Sequence, residues 1–132
     1  MLVLNASNRD DIAIAFAKLL QEQASALVVS HEVFFSTVHD QLIELAMRHK
    51  IPMSTHSSGV PKGALVAYGH DPRDIWRHIG IYVGRLLKGE RPADLPVQRS
   101  VKLDLIINLK TAKALGIGVP PALLARADEV IE

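Results

Sequence analysis

The stretch Ala26-Leu27-Val28-Val29-Ser30-His31-Glu32-Val33-Phe34-Phe35-Ser36 decides the fold. An apolar, uncharged run stops abruptly at Ser30, a polar turn follows, and a helical pattern begins. A strand with no charge along it is expected to be covered on both faces, which is the mark of a parallel sheet. In open α/β sheets, small ligands bind at the carboxyl ends of strands, where turns point side chains and amides into one crevice. The stretch therefore predicts a repeated strand–helix scaffold and a candidate site at Ser30, His31 and Glu32.

Toward the N-terminus, Leu2-Val3-Leu4 reads as a buried strand ended by the turn Asn5-Ala6-Ser7-Asn8. Ser7 is the expected N-cap of the next helix, with Asp10 and Asp11 in the first turn where the helix dipole favours acids. Ile12, Ala15, Phe16, Leu19 and Leu20 then follow the spacing of an amphipathic helix that ends near Gln23. Toward the C-terminus, Val38, Leu42, Leu45 and Ala46 form a second stripe ending around Lys50. Residues 51–54 sit where the next strand belongs, and Thr55-His56-Ser57-Ser58-Gly59-Val60-Pro61-Lys62-Gly63 is turn chemistry throughout.

Residues 64–68 form another apolar run, closed by Gly69. Asp71-Pro72-Arg73-Asp74 is a strong helix start, with an N-cap acid, a proline at N1 and an acid at N3. Its core stripe is expected at Ile75, Ile79, Tyr82, Val83 and Leu86, and Gly89 is a natural terminator. Gly80 and Gly84 cost helix propensity, which close packing against a neighbour would offset. Residues 91–96 read as an extended surface connector. Residues 97–107 read as a strand, with Val101, Leu103 and Leu105 alternating against Lys102 and Asp104 before a fully apolar end. Asn108 caps a short helix closed by Gly116, Pro120-Pro121 opens a last short helix, and Val130-Ile131 remains as a terminal apolar anchor.

Bulk properties narrow the function. With 132 residues, 48% hydrophobic and 22% charged, the chain has the composition of one globular domain or part of one. A net charge of +1 with interspersed signs, and few aromatics, exclude an electrostatic footprint for nucleic acid and a polybasic membrane patch. The absence of cysteine excludes disulfides, thiolate metal sites and a cysteine nucleophile. No run approaches the ~20 apolar residues of a membrane span. No signal-peptide pattern is visible either, which taken alone reads as cytoplasmic.

Three polar turns follow three apolar runs: Ser30-His31-Glu32, Thr55-His56-Ser57-Ser58 and Tyr68-Gly69-His70-Asp71. In a parallel sheet they fall on one edge and could line one crevice. His31, Glu32, His56, His70 and Asp71 could supply a zinc or iron site, but no helical ligand pair is present and isolated turn histidines are usually solvated. Ser30 or Ser57 could act as a nucleophile with a histidine base, but no Gly-x-Ser-x-Gly elbow occurs. Reversible binding of a small polar ligand, without catalysis, metal or cofactor, asks least of these residues. Neither a dinucleotide fingerprint nor a Walker A loop is present around Gly59 and Gly63. Phe34-Phe35 reads as a hydrophobic staple, Trp76 as interface or exposed packing, and His39, His49 and His78 as solvated helix positions.

The segments Leu86-Leu87-Lys88-Gly89-Glu90-Arg91-Pro92-Ala93-Asp94-Leu95-Pro96-Val97, Lys102-Leu103-Asp104-Leu105-Ile106-Ile107-Asn108-Leu109-Lys110-Thr111-Ala112-Lys113-Ala114-Leu115-Gly116, and Pro120-Pro121-Ala122-Leu123-Leu124-Ala125-Arg126-Ala127-Asp128-Glu129-Val130-Ile131 resemble the C-terminal third of bacterial ABC-transporter substrate-binding proteins of the tryptophan- or tyrosine-binder-like subfamily. The earlier order of strand, polar turn, helix, Ile51-Pro52, glycine turn and Tyr68-Gly69 fits as well, so the resemblance covers essentially the whole chain. It implies the type I periplasmic-binding fold, two Rossmann-like lobes closing on a ligand. This chain would be a C-terminal fragment, about half of such a protein, with an α/β/α three-layer sandwich and a mostly parallel sheet. Residues 1–68 would belong to the C-terminal lobe, the helix at 71–89 to contacts with the other lobe, and 97–131 to a hinge-crossing strand and terminal helices.

The resemblance further implies a small-molecule ligand in an interlobe cleft, an ABC permease as partner, and a periplasmic or lipid-anchored extracytoplasmic location. Its ligand-facing turns fall on Ser30, His31 and Glu32, on His56 and Ser57, and on Tyr68. His31-Glu32 departs from the Thr-Asp or Ser-Asp type common in relatives, which puts an amino-acid ligand in question. A half-protein would also expose apolar surface and self-associate as a dimer. A stand-alone flavodoxin-like enzyme or signalling module is the alternative; an aspartyl-phosphate receiver needs an acid where Ser30 and Ser54 stand.

Overall fold

The computed structural model describes residues 1–56, 63–97 and 103–132. The described strands form one five-stranded sheet in the order β1 (Leu27–Val28), β2 (Met53–Thr55), β3 (Val66–His70), β4 (Leu103–Asn108) and β5 (Glu129–Ile131). β1, β2 and β3 run parallel, β4 is antiparallel to β3, and β5 is parallel to β4. The described helices are α1 (Arg9–Gln21), α2 (Val33–Thr37), α3 (His39–Arg48), α4 (Pro72–Leu87), α5 (Leu109–Leu115) and α6 (Pro121–Leu124). The mixed, mostly parallel α/β architecture is the expected one.

Sequence signals place most helix ends. Asn8 caps α1, its side chain accepting from the Asp10 and Asp11 amides, so the cap stands one residue beyond the expected Ser7. The Ser7 amide instead donates to the Asp11 carboxylate. Asp71 caps α4 and Asn108 caps α5, while Gly89 and Gly116 take positive φ just beyond the two helix ends. The stripe after the polar turn is two helices rather than one, broken at Val38.

Ile12 and Phe16 of α1, Val38, Leu42, Ile43 and Ala46 at α3, Met53 of β2, and Ala64 form the main core. Leu27, Val29, Phe34 and Phe35 pack against it, so the phenylalanine pair does staple the turn to the core. Ala67 and Ile106 form a second cluster with Ile131 beside it, making the terminal anchor a fifth strand. Gly63 lies against the main core: it has φ +129°, and a Cβ there would meet Ile43 Cγ2 at 3.0 Å.

Several expectations fail, most of them for the lack of a covering neighbour. Leu2-Val3-Leu4 lies in no strand, and Leu2 and Val3 are exposed. A hollow of about 1250 Å³ lies between residues 1–7 and β1. β1 is therefore an edge strand, and Val28 is 78% exposed rather than covered on both faces. The expected core stripe of α4 is not buried: Ile75, Ile79, Val83 and Leu86 are exposed, and Trp76 is 70% exposed. No heavy atom lies within 4 Å of a Cβ built on Gly80 or Gly84, so neither marks a close approach. In β4 the alternation is phased the other way, with Asp104 buried and Leu103 exposed. The connector carries a 3-10 turn at Pro92–Asp94.

Ile12, 1% exposed in the main core, tests where stability resides. Ile12→Ala should cost about 2–5 kcal/mol in urea unfolding, whereas Ile79→Ala on exposed α4 should cost well under half as much.

Candidate functional site

Because β1, β2 and β3 are parallel, their carboxyl ends share one edge of the sheet. Leu27 pairs with Met53 and Val28 with Ser54, and the Val29 amide still donates to the Ser54 carbonyl at 3.0 Å. On the other side of β2, Ser54 pairs with Val66 and Thr55 with Ala67. Continuing these registers by one or two residues sets Ser30, His56 and Tyr68 in a row across the sheet. In a parallel sheet such a row projects to the same side.

The turn after β1 is tight. The Glu32 amide donates to the Ser30 carbonyl at 3.0 Å, and Glu32 then begins α2 with extended backbone. This fold of the chain brings His31 over His56, with ring centroids 4.4 Å apart and planes tilted by 31°. Ser30, His31 and Glu32 are exposed, and His56 is half-buried. Tyr68 and His70 lie within β3 rather than in a turn, so the third polar stretch is largely strand, and Tyr68 is exposed. Ser57 lies outside the described residues.

One functional candidate was missed. His39, expected on a solvated helix face, is only 5% exposed at the start of α3. Its Nε2 lies 3.3 Å from the Thr55 hydroxyl, which lies 3.4 Å from His56 Nδ1. The His39 and His56 ring centroids are 6.0 Å apart. Thr55 thus lies between His39 and His56, and His31 packs on His56. The signal in the sequence is slight: His39 stands three, four and seven residues before Leu42, Ile43 and Ala46, on the face that α3 buries.

The electrostatics follow from the packing. Burial pushes the His56 pKa below its ordinary 6.5, and the neighbouring His31 and His39 push it further the same way. Among the described residues, no group of three or more His, Cys, Asp or Glu side chains has metal-holding geometry. The hollow beside β1 reaches Ser30 and Glu32 but is lined by neither His31 nor His56.

The sequence profile of the family described as ABC transporter substrate binding protein matches residues 1–131. The chain belongs to that family. A conserved domain protein from Vibrio cholerae is similar in structure, with a TM-score of 0.83 and 29% identity over 95% of this chain and 42% of that one. An ABC domain from Streptococcus pneumonia, solved in complex with L-Trp, has a TM-score of 0.82 and 26% identity over 92% of this chain and 41% of that one. A ligand-free, open substrate-binding protein with adhesive properties from Clostridium difficile shares the fold, with a TM-score of 0.64 and 24% identity over 96% of this chain and 42% of that one. This chain therefore spans less than half the length of each of these proteins. No match was found among curated protein sequences.

The lowered His56 pKa makes a signed prediction. Between the folded pKa and 6.5 the unfolded chain binds the His56 proton more readily than the folded chain. The stability contributed by the neutral form is fully present above about pH 6.5 and is lost as pH falls through the folded pKa. Chemical denaturation across this window should show acid destabilisation that is reduced in His56→Gln.

Proposed function

We propose that this chain is the ligand-binding half of an extracytoplasmic solute receptor serving an ABC permease. In this reading it acts without catalysis, binding a small polar ligand of the amino-acid class. The observation that carries this reading is the alignment of the β1, β2 and β3 carboxyl ends, which sets Ser30, His31, His56 and Tyr68 along one edge. Family membership supports a solute-binding role, and the similar ABC domain solved with L-Trp supports an amino-acid-sized ligand. Ser57 and Glu32 belong to the same proposed wall. Family membership supports a receptor that is periplasmic or lipid-anchored.

The proposed division of labour follows the fold. Residues 1–68 build the lobe that carries the wall. The helix at 71–89 engages the other lobe, and 97–131 supply the strand that crosses the hinge and the terminal helices. The exposed apolar side chains of α4, among them Ile75, Trp76, Ile79 and Leu86, support an engaged rather than a solvated helix. In the isolated chain the same face would dock a second copy, giving a dimer.

Thermal-shift and calorimetric screening of amino acids and small carboxylates against the full-length protein tests the binding reading. A cognate ligand should raise the melting temperature by several degrees, and His31→Ala or His56→Ala should weaken it by about tenfold or more. Failure of every compound, together with a hydrolase activity lost in the His31 variant, would overturn it. For the isolated chain, sedimentation at about 100 μM should show a dimer that Trp76→Glu with Ile79→Glu converts to monomer; a clean wild-type monomer counts against the docking role of α4.

A further inference from the structure

We infer that the hollow between residues 1–7 and β1 is the slot for one further β-strand: an extended, uncharged apolar segment, parallel to β1 and bonded to its outer edge, that the remainder of the receptor polypeptide supplies. The inference rests on reading this chain as part of a longer receptor, and not on the identity of the ligand.

The backbone of β1 shows which side is open. The Leu27 amide donates to the Pro52 carbonyl at 2.9 Å, and the Val29 amide to the Ser54 carbonyl at 3.0 Å. Alternation along a strand therefore turns the Val28 N–H and C=O away from β2, toward the outer edge. The hollow lies on that edge. Residues 26–30 line one side of it and Met1–Ser7 another, with no described residue of β2 among its walls.

This edge has the sequence of an interior strand. Natural sheets blunt a free edge with lysine, other charges, proline or a bulge. Ala26-Leu27-Val28-Val29 carries neither a charge nor a proline, and the same holds for Leu2-Val3-Leu4 across the hollow. Leu2, Val3 and Val28 are exposed beside it. Ile12, Phe16 and Leu19 of α1, with Leu42 of α3, add apolar lining. An apolar strand is the occupant that satisfies both the backbone groups and these side chains.

Size and direction narrow the occupant further. An extended residue in a packed sheet fills a cell of about 3.3 by 4.8 by 10 Å, so a hollow of about 1250 Å³ holds one strand of roughly five to eight residues. Residues 2–4 do not close the hollow themselves, because the chain just beyond them is pinned. Ala6 packs on the main core, the Ser7 amide donates to the Asp11 carboxylate, and Asn8 caps α1. Residues 2–4 lead into α1, and α1 leads into β1, a crossover that sets its two ends parallel. A strand between them extends the parallel run of β1, β2 and β3.

A second copy of β1 does not fit this slot. Pairing across a twofold axis would be antiparallel, and residues 2–4 of each copy would stand in the way. The remainder of the receptor does fit. This chain covers 41–42% of the similar solved proteins, which leaves more than half of each outside the match. Ser30 and Glu32 also line the hollow, so the added strand would reach the edge that carries the proposed ligand wall.

The test is amide hydrogen exchange with nuclear Overhauser spectroscopy on the deuterated full-length protein. The Leu27 and Val29 amides are bonded to β2 in either case, so Val28 alone discriminates. Its amide should exchange about 100-fold or more slower than a solvated amide, independently of protein concentration, and show contacts to backbone protons outside residues 1–132. Val28→Pro removes the N–H that an occupied slot uses but a free edge tolerates. It should lower the melting temperature of the full-length protein by about 4 °C or more relative to Val28→Ala. Rapid exchange at Val28, contacts from its amide to residues 2–4, protection that is lost on dilution as a second copy would give, or a Val28→Pro protein as stable as Val28→Ala overturns the inference. A receptor that binds solute while Val28 exchanges freely sinks this inference alone. A protected Val28 in a protein that binds no solute sinks the ligand-binding reading and leaves the strand slot standing.

Discussion

The parallel register linking β1, β2 and β3 is the constraint on which the rest of the structure depends. It pairs Leu27 with Met53 and Ser54 with Val66, and so decides which residues stand at the carboxyl edge together. Side chains alternate with period two, so a slip of one residue at β2 would send His56 to the other side of the sheet and bring Thr55 out of the interior. The main core enforces the register. Met53 and Leu27 pack against Ile12, Phe16, Leu42 and Ala46, and a slipped strand would replace Met53 with a polar neighbour.

Built on that register, the site is a polar cluster held by an apolar one. α3 contributes Leu42, Ile43 and Ala46 to the core and His39 to the cluster, so the packing that stabilises the fold also presses an imidazole against Thr55. His56 is accordingly half-buried, between Thr55 on one hand and the exposed His31 on the other. In the proposed function this edge serves as the ligand wall. The α4 face, with Ile75, Trp76 and Ile79 exposed, is the second surface that the proposed function uses.

The parts of the fold legible in the residues were those governed by local chemistry. Asp71 before Pro72, Asn108 before Leu109, and Gly116 after Leu115 satisfy or terminate backbone hydrogen bonds within a few residues, and each stands where its type predicts. The run before Ser30 and the turn after it, the stripes of α1 and α3, and the strand ending in Ile106 and Ile107 were equally plain. Of the site, Ser30, His31, His56 and Tyr68 were recognisable as residues at strand ends.

What the sequence by itself determined is therefore the element order, most of the helix caps and the mostly parallel α/β class. These depend on periodicity and on contacts between near neighbours, which a chain carries within short windows. Only the tertiary structure decided that His39 is buried, because its partner Thr55 is 16 residues away on another element. It alone left α4 and residues 2–4 uncovered, because an amphipathic stripe specifies an apolar face and not what lies against it. It alone stacked His31 on His56, since that contact needs the β1–β2 register and the tight turn at Ser30 at once.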